Sequence, residues 1–158
     1  MNYETMIRQA GEILDAEPWY VAAMSNLSAL VMESLDRLNW AGFYLLRGGA
    51  LVVGPFQGKQ ACIRIPVGKG VCGTAVKTGE MQVVPDVHAF PGHIACDAAS
   101  RSEIVIPIHR GDRIAAVLDI DSPAEGRFSA EDAEGLARLI RLIEEKISWD
   151  DKKEDGDA

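Results

Sequence analysis

The chain has 158 residues, of which 47% are hydrophobic and 25% charged, and its formal net charge is -8. This length suits one domain with its own hydrophobic core, without disulfides or metals. The negative charge and the lack of Lys and Arg clusters argue against nucleic-acid binding. No apolar run approaches the roughly 20 residues that cross a bilayer, and the first residues are typical of an amphipathic helix, not of a signal peptide. We therefore predict a single cytoplasmic domain over residues 1–149, with no nucleic-acid or membrane partner.

Two helices are predicted at the N-terminal end. Apolar residues recur at helical spacing over 3–15. Pro18 can occupy the first turn of a second helix, which continues to about Asp36. Its apolar residues form one stripe, made of Ala22, Ala23, Leu27, Leu30, Val31 and Leu35.

Two strands follow, NWAGFYLLR at 39–47 and ALVVGPFQG at 50–58, and the Gly-Gly pair between them predicts a hairpin. The next segment, IRIPVGKGVCGTAVKTGE at 63–80, predicts the end of a strand, then a glycine-rich loop, and then a short helix near 72–78. A brief strand, MQVVPDV, is then stopped by Pro85.

The second half begins with a loop without periodicity, 86–100, and long loops in compact domains are often functional. A second hairpin is predicted from SEIVIPIHR and RIAAVLDIDS, which Gly111-Asp112 separates. Ser129 then begins a capping pattern, and its helix runs to about Ile147. The charged tail 150–158 is predicted to be disordered. This order of elements indicates an α+β domain with an antiparallel sheet covered by helices.

Three cysteines, Cys62, Cys72 and Cys96, have the spacing C-x9-C-x23-C. This is not a paired C-x2-C pattern, and His93 three residues before Cys96 is a common chance arrangement, so no metal site is predicted. Each cysteine could simply be a small buried hydrophobe. Cys96, however, lies in a polar loop of small residues, where a thiol can meet solvent and substrate. A nucleophilic Cys96 with His93 as its base is less favoured but stays open.

Carboxylates interrupt the predicted second hairpin. Asp119 and Asp121 are two apart on one strand, so they share a face, and a buried pair of this kind is costly without a cation. A ligand ammonium or a nearby Lys or Arg would both relieve that cost. Glu103, at a strand start, could be an ordinary exposed charge.

Trp40 and Tyr44 are four apart on the first predicted strand, so they also share a face. Core packing is the ordinary explanation for such aromatic residues. Gly42 between them leaves a gap in side chains, which would suit the floor of a pocket.

Taken together, the segments NWAGFYLL, LVVGPFQGKQACIRIPVGKGVCGTAV, VPDVHAFPGHIACDAASRSEIVIPI and AVLDIDSP resemble the free methionine-(R)-sulfoxide reductases, which are built on a GAF domain. The resemblance runs from about Trp19 to the last helix. It implies a six-stranded antiparallel sheet with helices packed on one face and a ligand pocket on the other.

The resemblance also implies a role for each candidate residue. Cys96 would be the nucleophile, Cys62 the main resolving cysteine, and Cys72 an additional thiol able to enter disulfide exchange. The implied pocket carboxylates are Glu103, Asp119 and Asp121, and the implied aromatic wall is Trp40 with Tyr44.

The activity implied is reduction of free L-methionine-(R)-sulfoxide, through a sulfenic acid and a Cys62–Cys96 disulfide that thioredoxin reduces. No bound cofactor is implied. Glu103, if desolvated and protonated, would donate a proton to the sulfoxide oxygen, while Asp119 and Asp121 would bind the ammonium. The alternative is a non-catalytic GAF sensor of a small molecule, which usually carries an attached output domain. The expected stand-alone chain leaves no room for one after 148, and a homodimer stays open.

Overall fold

An antiparallel sheet forms the centre of the molecule in the computed structural model, which describes residues 2–151. Within that range six strands and four α-helices are present, together with one 3₁₀ turn at Val87–Ala89. In chain order the elements are α1 (Tyr3–Ala16), α2 (Tyr20–Ser34), β1 (Trp40–Arg47), β2 (Ala50–Gly58), β3 (Arg64–Pro66), α3 (Gly70–Thr78), β4 (Gln82–Val84), β5 (Ser102–Arg110), β6 (Arg113–Ser122) and α4 (Ala130–Lys146).

The strand order across the sheet is β3-β2-β1-β6-β5-β4, and each neighbouring pair is antiparallel. Both predicted hairpins are confirmed. β1 turns into β2 through Gly48 and Gly49, whose φ angles of 57° and 78° fit the left-handed conformation that a two-residue hairpin turn requires. The last strand, β6, then pairs with β1 in the middle of the sheet, so that Ala41 lies opposite Ile120. This long-range pairing joins the two halves of the chain.

The sheet has two different faces because successive side chains of a strand point to opposite sides. One face carries Phe43, Leu118 and Ile120, which are fully buried beneath α1, α2 and α4. The other face carries Trp40, Tyr44 and residues of β5 and β6, and α3 packs against it. The predicted six-stranded antiparallel sheet with helices packed on one face is therefore confirmed, and the short α3 lies on the other face.

Helix α4 begins with the predicted capping pattern. The Ser129 hydroxyl accepts from the Asp132 backbone N–H at 3.1 Å, while the Asp132 carboxylate accepts from the Ser129 backbone N–H at 2.9 Å. Asp132 also accepts hydrogen bonds from the Tyr3 hydroxyl at 2.6 Å and the Arg127 guanidinium at 3.0 Å. One carboxylate thus caps α4 and ties it to α1.

The predicted start of α2 at Pro18 is wrong by two residues. The Ser148 N–H donates to the Pro18 carbonyl at 2.7 Å, and the Tyr20 N–H donates to the Ser148 carbonyl at 2.9 Å. This extended pairing, between segments far apart in the sequence, keeps Pro18 and Trp19 out of the helix.

Of the predicted disordered tail, residues 152–158 lie outside the described range. Asp151 is described, and its carboxylate accepts a hydrogen bond from the Trp19 indole N–H at 2.9 Å. Between residues 2 and 151 the helices are all too short or too polar to cross a bilayer.

Candidate active site

A small pocket lies on the α3 face of the sheet, above β1, β5 and β6. Its water-accessible space is only about 40 Å³, enough for a few water molecules. Gln60 and Ala61 of the β2–β3 loop and Ile94 of the loop before β5 close it from above. Seven of the eight predicted site residues line it, namely Trp40, Tyr44, Cys72, Cys96, Glu103, Asp119 and Asp121.

The register of the three central strands explains how the carboxylates meet. Glu103 on β5 lies opposite Asp121 on β6, and Asp121 lies opposite Trp40 on β1. One row further along, Asp119 stands between Val105 and Gly42. The antiparallel pairing of distant segments therefore brings three carboxyl groups to one patch of the sheet.

The surroundings of these carboxyl groups favour their neutral forms. Desolvation raises the pKa of Glu103 well above its usual range, and the nearby charges of Asp119 and Asp121 raise it further. The pKa of Asp121 is likewise well above normal because of desolvation and then Asp119. Desolvation also raises the pKa of Asp119, although Glu103 and Cys72 oppose that shift. The group therefore binds protons or a cation in preference to carrying three negative charges.

No Lys or Arg side chain lines this pocket within the described part of the chain. The three carboxyl groups form none of the salt bridges found between residues 2 and 151. Asp119, only 6% exposed, also leaves its Oδ1 atom without a hydrogen-bond partner. The sequence left two candidate cations for these carboxylates, a ligand ammonium and a nearby Lys or Arg. The lack of a basic side chain in the described pocket lining favours the ligand.

Cys62 and Cys96 form a disulfide with a Cα–Cα distance of 5.4 Å. It joins the β2–β3 loop to the loop before β5 and closes one side of the pocket. Both cysteines are half-buried. Cys62 itself does not line the pocket, but the disulfide places its sulfur against Cys96, which does.

The two aromatic side chains support the loop that carries Cys62. The Tyr44 hydroxyl donates to the Cys62 carbonyl at 3.0 Å, and the Trp40 indole N–H donates to the Lys59 carbonyl at 3.1 Å. Desolvation raises the pKa of Tyr44, which keeps its phenol protonated as a donor. The rings themselves stack with centroids 5.8 Å apart and form one wall of the pocket.

The loop that carries Cys96 is held by residues that the sequence did not single out. The Asn39 side-chain amide donates to Asp97 Oδ2 and to Ser100 Oγ, both at 2.9 Å. Asp97 also accepts from the Ala99 N–H, and this bond lowers the pKa of Asp97. The sequence offers only one local indication of this role for Asn39, namely that a polar residue precedes Trp40. Such an arrangement is too common to predict the contact.

Cys72 lies in the first turn of α3 and is a buried free thiol. Desolvation, followed by the charge of Asp119, raises the pKa of Cys72 well above its usual value, so the thiol is protonated near neutral pH. Its sulfur and one carboxyl oxygen each of Glu103 and Asp119 all lie within 4.8 Å of one another. These three donors could hold a metal ion.

The gap expected beside Gly42 is not an opening into the pocket. A Cβ at this position would lie 2.2 Å from the Cβ of Phe56, so β2 approaches closely there. The Phe56 ring stacks on Trp40 with centroids 5.1 Å apart. Gly42 therefore admits Phe56 behind the aromatic wall, and it does not line the pocket.

His93 lines the pocket, but no hydrogen bond joins its ring to Cys96 within the described residues. Desolvation lowers the pKa of His93, and the neighbouring His88 adds to that effect. The imidazole is therefore neutral at neutral pH and supplies no positive charge to the carboxylates.

The fold and its pocket define a GAF domain, and a family model described as "GAF domain" matches residues 22–147. A free methionine-R-sulfoxide reductase of Escherichia coli is 51% identical over 96% of this chain and 92% of its own length. Fold comparison finds a structure of fRMsr of Staphylococcus aureus in its reduced form, with a TM-score of 0.90 and 51% identity over 93% of this chain and 96% of that one.

A second solved structure is that of free methionine-R-sulfoxide reductase from Neisseria meningitidis in complex with its substrate. It has a TM-score of 0.88 and 41% identity, and covers 91% of this chain and 87% of its own. The chain belongs to the family of free methionine-R-sulfoxide reductases, which are oxidoreductases built on a GAF domain.

Proposed function

We propose that this chain reduces free L-methionine-(R)-sulfoxide to L-methionine, using Cys96 and Cys62 as its redox pair. The observation that carries the proposal is the Cys62–Cys96 disulfide at the edge of a pocket with three carboxyl groups and no Lys or Arg in its described lining. A module that only binds a ligand needs no such disulfide. The family's oxidoreductase activity points the same way.

In the first step the Cys96 thiolate attacks the sulfur of the sulfoxide. Glu103, which its surroundings keep protonated, donates its proton to the sulfoxide oxygen. The bond formed between the Cys96 sulfur and the substrate sulfur then breaks together with the substrate sulfur–oxygen bond, as the hydroxyl transfers to the Cys96 sulfur. Methionine leaves, and Cys96 becomes a sulfenic acid. A neutral Glu103 also avoids placing a second negative charge beside the thiolate.

In the second step the Cys62 thiol attacks the sulfenic sulfur, and water leaves as the disulfide forms. The two cysteines have then lost two electrons and two protons, which balance the reduction of one sulfoxide to sulfide and water. A thioredoxin-type dithiol protein returns the electrons by thiol–disulfide exchange. No bound cofactor takes part in this cycle.

Asp119 and Asp121 hold the substrate ammonium in this scheme, and the wall of Trp40 and Tyr44 contacts the S-methyl end. A methionine sulfoxide inside a peptide has no ammonium and carries chain on both sides, so the site selects the free amino acid. In this scheme substrate enters the reduced protein, in which the disulfide no longer joins the loop of Cys62 to the loop of Cys96. The cytoplasmic location and the homodimer stay predictions.

A coupled assay tests the proposal. Purified protein, a thioredoxin system and NADPH are mixed with free methionine-R-sulfoxide, with the S epimer, or with a blocked peptide analogue. We expect NADPH oxidation with the free R epimer alone and none after Cys96→Ser. If the folded, fully reduced protein turns over no sulfoxide, the proposal is wrong, and the non-catalytic sensor becomes the better description.

A further inference from the structure

We propose that Cys72, Glu103 and Asp119 form a binding site for Zn²⁺ or a similar divalent transition-metal ion, distinct from the redox pair. The three residues come from α3, β5 and β6, so only the folded chain brings them together. Sequence patterns alone do not predict such a site, because the cysteine and histidine spacing does not match a zinc motif.

The geometry suits a small ion. One donor atom from each residue lies within 4.8 Å of the other two. Zn²⁺ binds sulfur at about 2.3 Å and carboxylate oxygen at about 2.0–2.2 Å, so two donors on one ion are never more than about 4.5 Å apart. Small side-chain rotations bring the three donors onto a single ion, and the pocket has room for a water as the fourth ligand.

Asp119 gives independent support. Its side chain is nine-tenths buried, lines the pocket, and leaves Oδ1 without any hydrogen-bond partner. A buried, unpartnered carboxyl oxygen costs free energy that a bound cation recovers. A thiolate with two carboxylates is a ligand set that transition-metal ions accept, and the thiolate disfavours Mg²⁺ and Ca²⁺.

Metal binding has two consequences that can be measured. The Cys72 thiol releases its proton when the sulfur–metal bond forms, so binding weakens as the pH falls. The ion would also occupy the space in which, under the proposed function, Asp119 binds the substrate ammonium. On that proposed function the metal is therefore a competitive inhibitor of the reductase.

The oxidised protein allows a direct test, because two of its three cysteines are in the disulfide and Cys72 is its one thiol. Untagged oxidised protein is titrated with Co²⁺, whose bond to a thiolate gives a charge-transfer band in the near ultraviolet. We expect the band to saturate at one equivalent and Zn²⁺ to abolish it. No band, or a band that never saturates, would overturn the site.

Variants assign the ligands. Cys72→Ser should abolish the band, and Asp119→Asn should weaken Zn²⁺ affinity by at least about tenfold, since even residues that only support metal ligands are worth about 10–100-fold. Asp97→Asn, which also lines the pocket but lies outside the cluster, is the matched control and should bind as the parent does. If Asp97→Asn loses the metal while a folded Asp119→Asn keeps it, the assignment is wrong. Circular dichroism checks each variant, and Glu103→Gln replaces any that fails to fold.

The inhibition is tested apart from the binding. A Cys62→Ser, Cys96→Ser variant cannot turn over and retains Cys72 as its one thiol. Free methionine-R-sulfoxide should reduce its Co²⁺ band at a fixed concentration of metal. A band that the sulfoxide leaves unchanged would refute the shared site, whereas failure of the reductase proposal alone would leave the oxidised protein's metal binding intact.

Discussion

Glu103 and Asp121 face each other across the pairing of β5 and β6, and their side chains line the same pocket. Asp119 lies one row away. Because the three carboxyl groups are so close, they cannot all ionise without a nearby cation. The fold therefore keeps part of this cluster protonated, at a cost in stability whenever the pH favours ionisation. On the two proposals above, the substrate ammonium and a metal ion would each neutralise this same cluster.

Replacing Glu103 should stabilise the protein above neutral pH. A carboxyl group whose pKa is raised in the folded state favours folding at low pH, and that advantage is lost as the pH rises from the unfolded pKa of about 4 through the folded pKa. A tenfold difference in acid dissociation constant between the folded and unfolded states corresponds to about 1.4 kcal/mol of stability. We expect Glu103→Gln to raise the Tm of the protein at pH 8 and to flatten the dependence of Tm on pH.

Glu80→Gln, at an exposed position, is the control. Parallel Tm curves for the parent and Glu103→Gln would show that the carboxyl group is not desolvated.

The same substitution should impair catalysis. General acids contribute about 10²–10⁴-fold to rates, so Glu103→Gln should lower kcat by a factor in that range with much less effect on KM. In the parent, kcat/KM should fall at high pH as an acidic group with a raised pKa loses its proton, and the variant should lack this limb. A full pH–rate profile measures both. A high-pH limb that persists unchanged in Glu103→Gln would assign the proton to another group.

Gly42→Ala should destabilise the fold and disturb the aromatic wall. The added methyl would lie 2.2 Å from the Phe56 Cβ and 2.7 Å from its Cα, so backbone must move. Overpacking of this kind costs about 1–3 kcal/mol or more. Gly11→Ala is the matched control, because its Cβ meets nothing closer than 3.9 Å, and alanine is favoured over glycine within a helix by about 1 kcal/mol. Urea unfolding compares the two, and equal stability changes would refute the close approach of β2.

Arg127 should contribute far more to stability than an exposed arginine. Its guanidinium, 6% exposed, donates to Asp132 and to Asp36, each at 3.0 Å. Removing one member of a buried pair leaves the other charge uncompensated, which costs about 3–5 kcal/mol. Arg127→Met should show a loss of that order in urea unfolding. Arg101→Met, which removes an exposed pair with Glu125, should change stability by less than about 1 kcal/mol. Similar losses in both variants would contradict a buried role for Arg127.

Much of the fold follows from local patterns in the sequence. Gly48-Gly49 and Gly111-Asp112 predict the two hairpins because tight turns need those residue types, and Ser129 predicts the start of α4 by its capping bonds. The start of α2 is predicted two residues too early because Ser148, far along the chain, pairs with Pro18 and Tyr20. Long-range pairing of this kind has no local signature.

The candidate site likewise has some features that local sequence patterns predict and others that depend on long-range contacts. Alternation along a strand is enough to place Asp119 and Asp121 on one face, and the resemblance implies the cysteine pair. The position of Glu103 opposite Asp121 depends on strand register. The hydrogen bond from Asn39 to Asp97 joins residues that only folding brings together. Phe56 fills the space beside Gly42 because the two residues lie opposite each other in the pairing of β1 and β2, a register that neither strand predicts by itself.

A single-turnover experiment tests the central claim most directly. Fully reduced protein, without any external reductant, is mixed with an excess of free methionine-R-sulfoxide and then unfolded in acid for thiol titration and peptide mapping. We expect one methionine per chain, a fall in free thiols from three to one, a Cys62–Cys96 link and an unmodified Cys72. Three free thiols with no methionine formed, or a link that includes Cys72 in place of Cys62, would contradict the account.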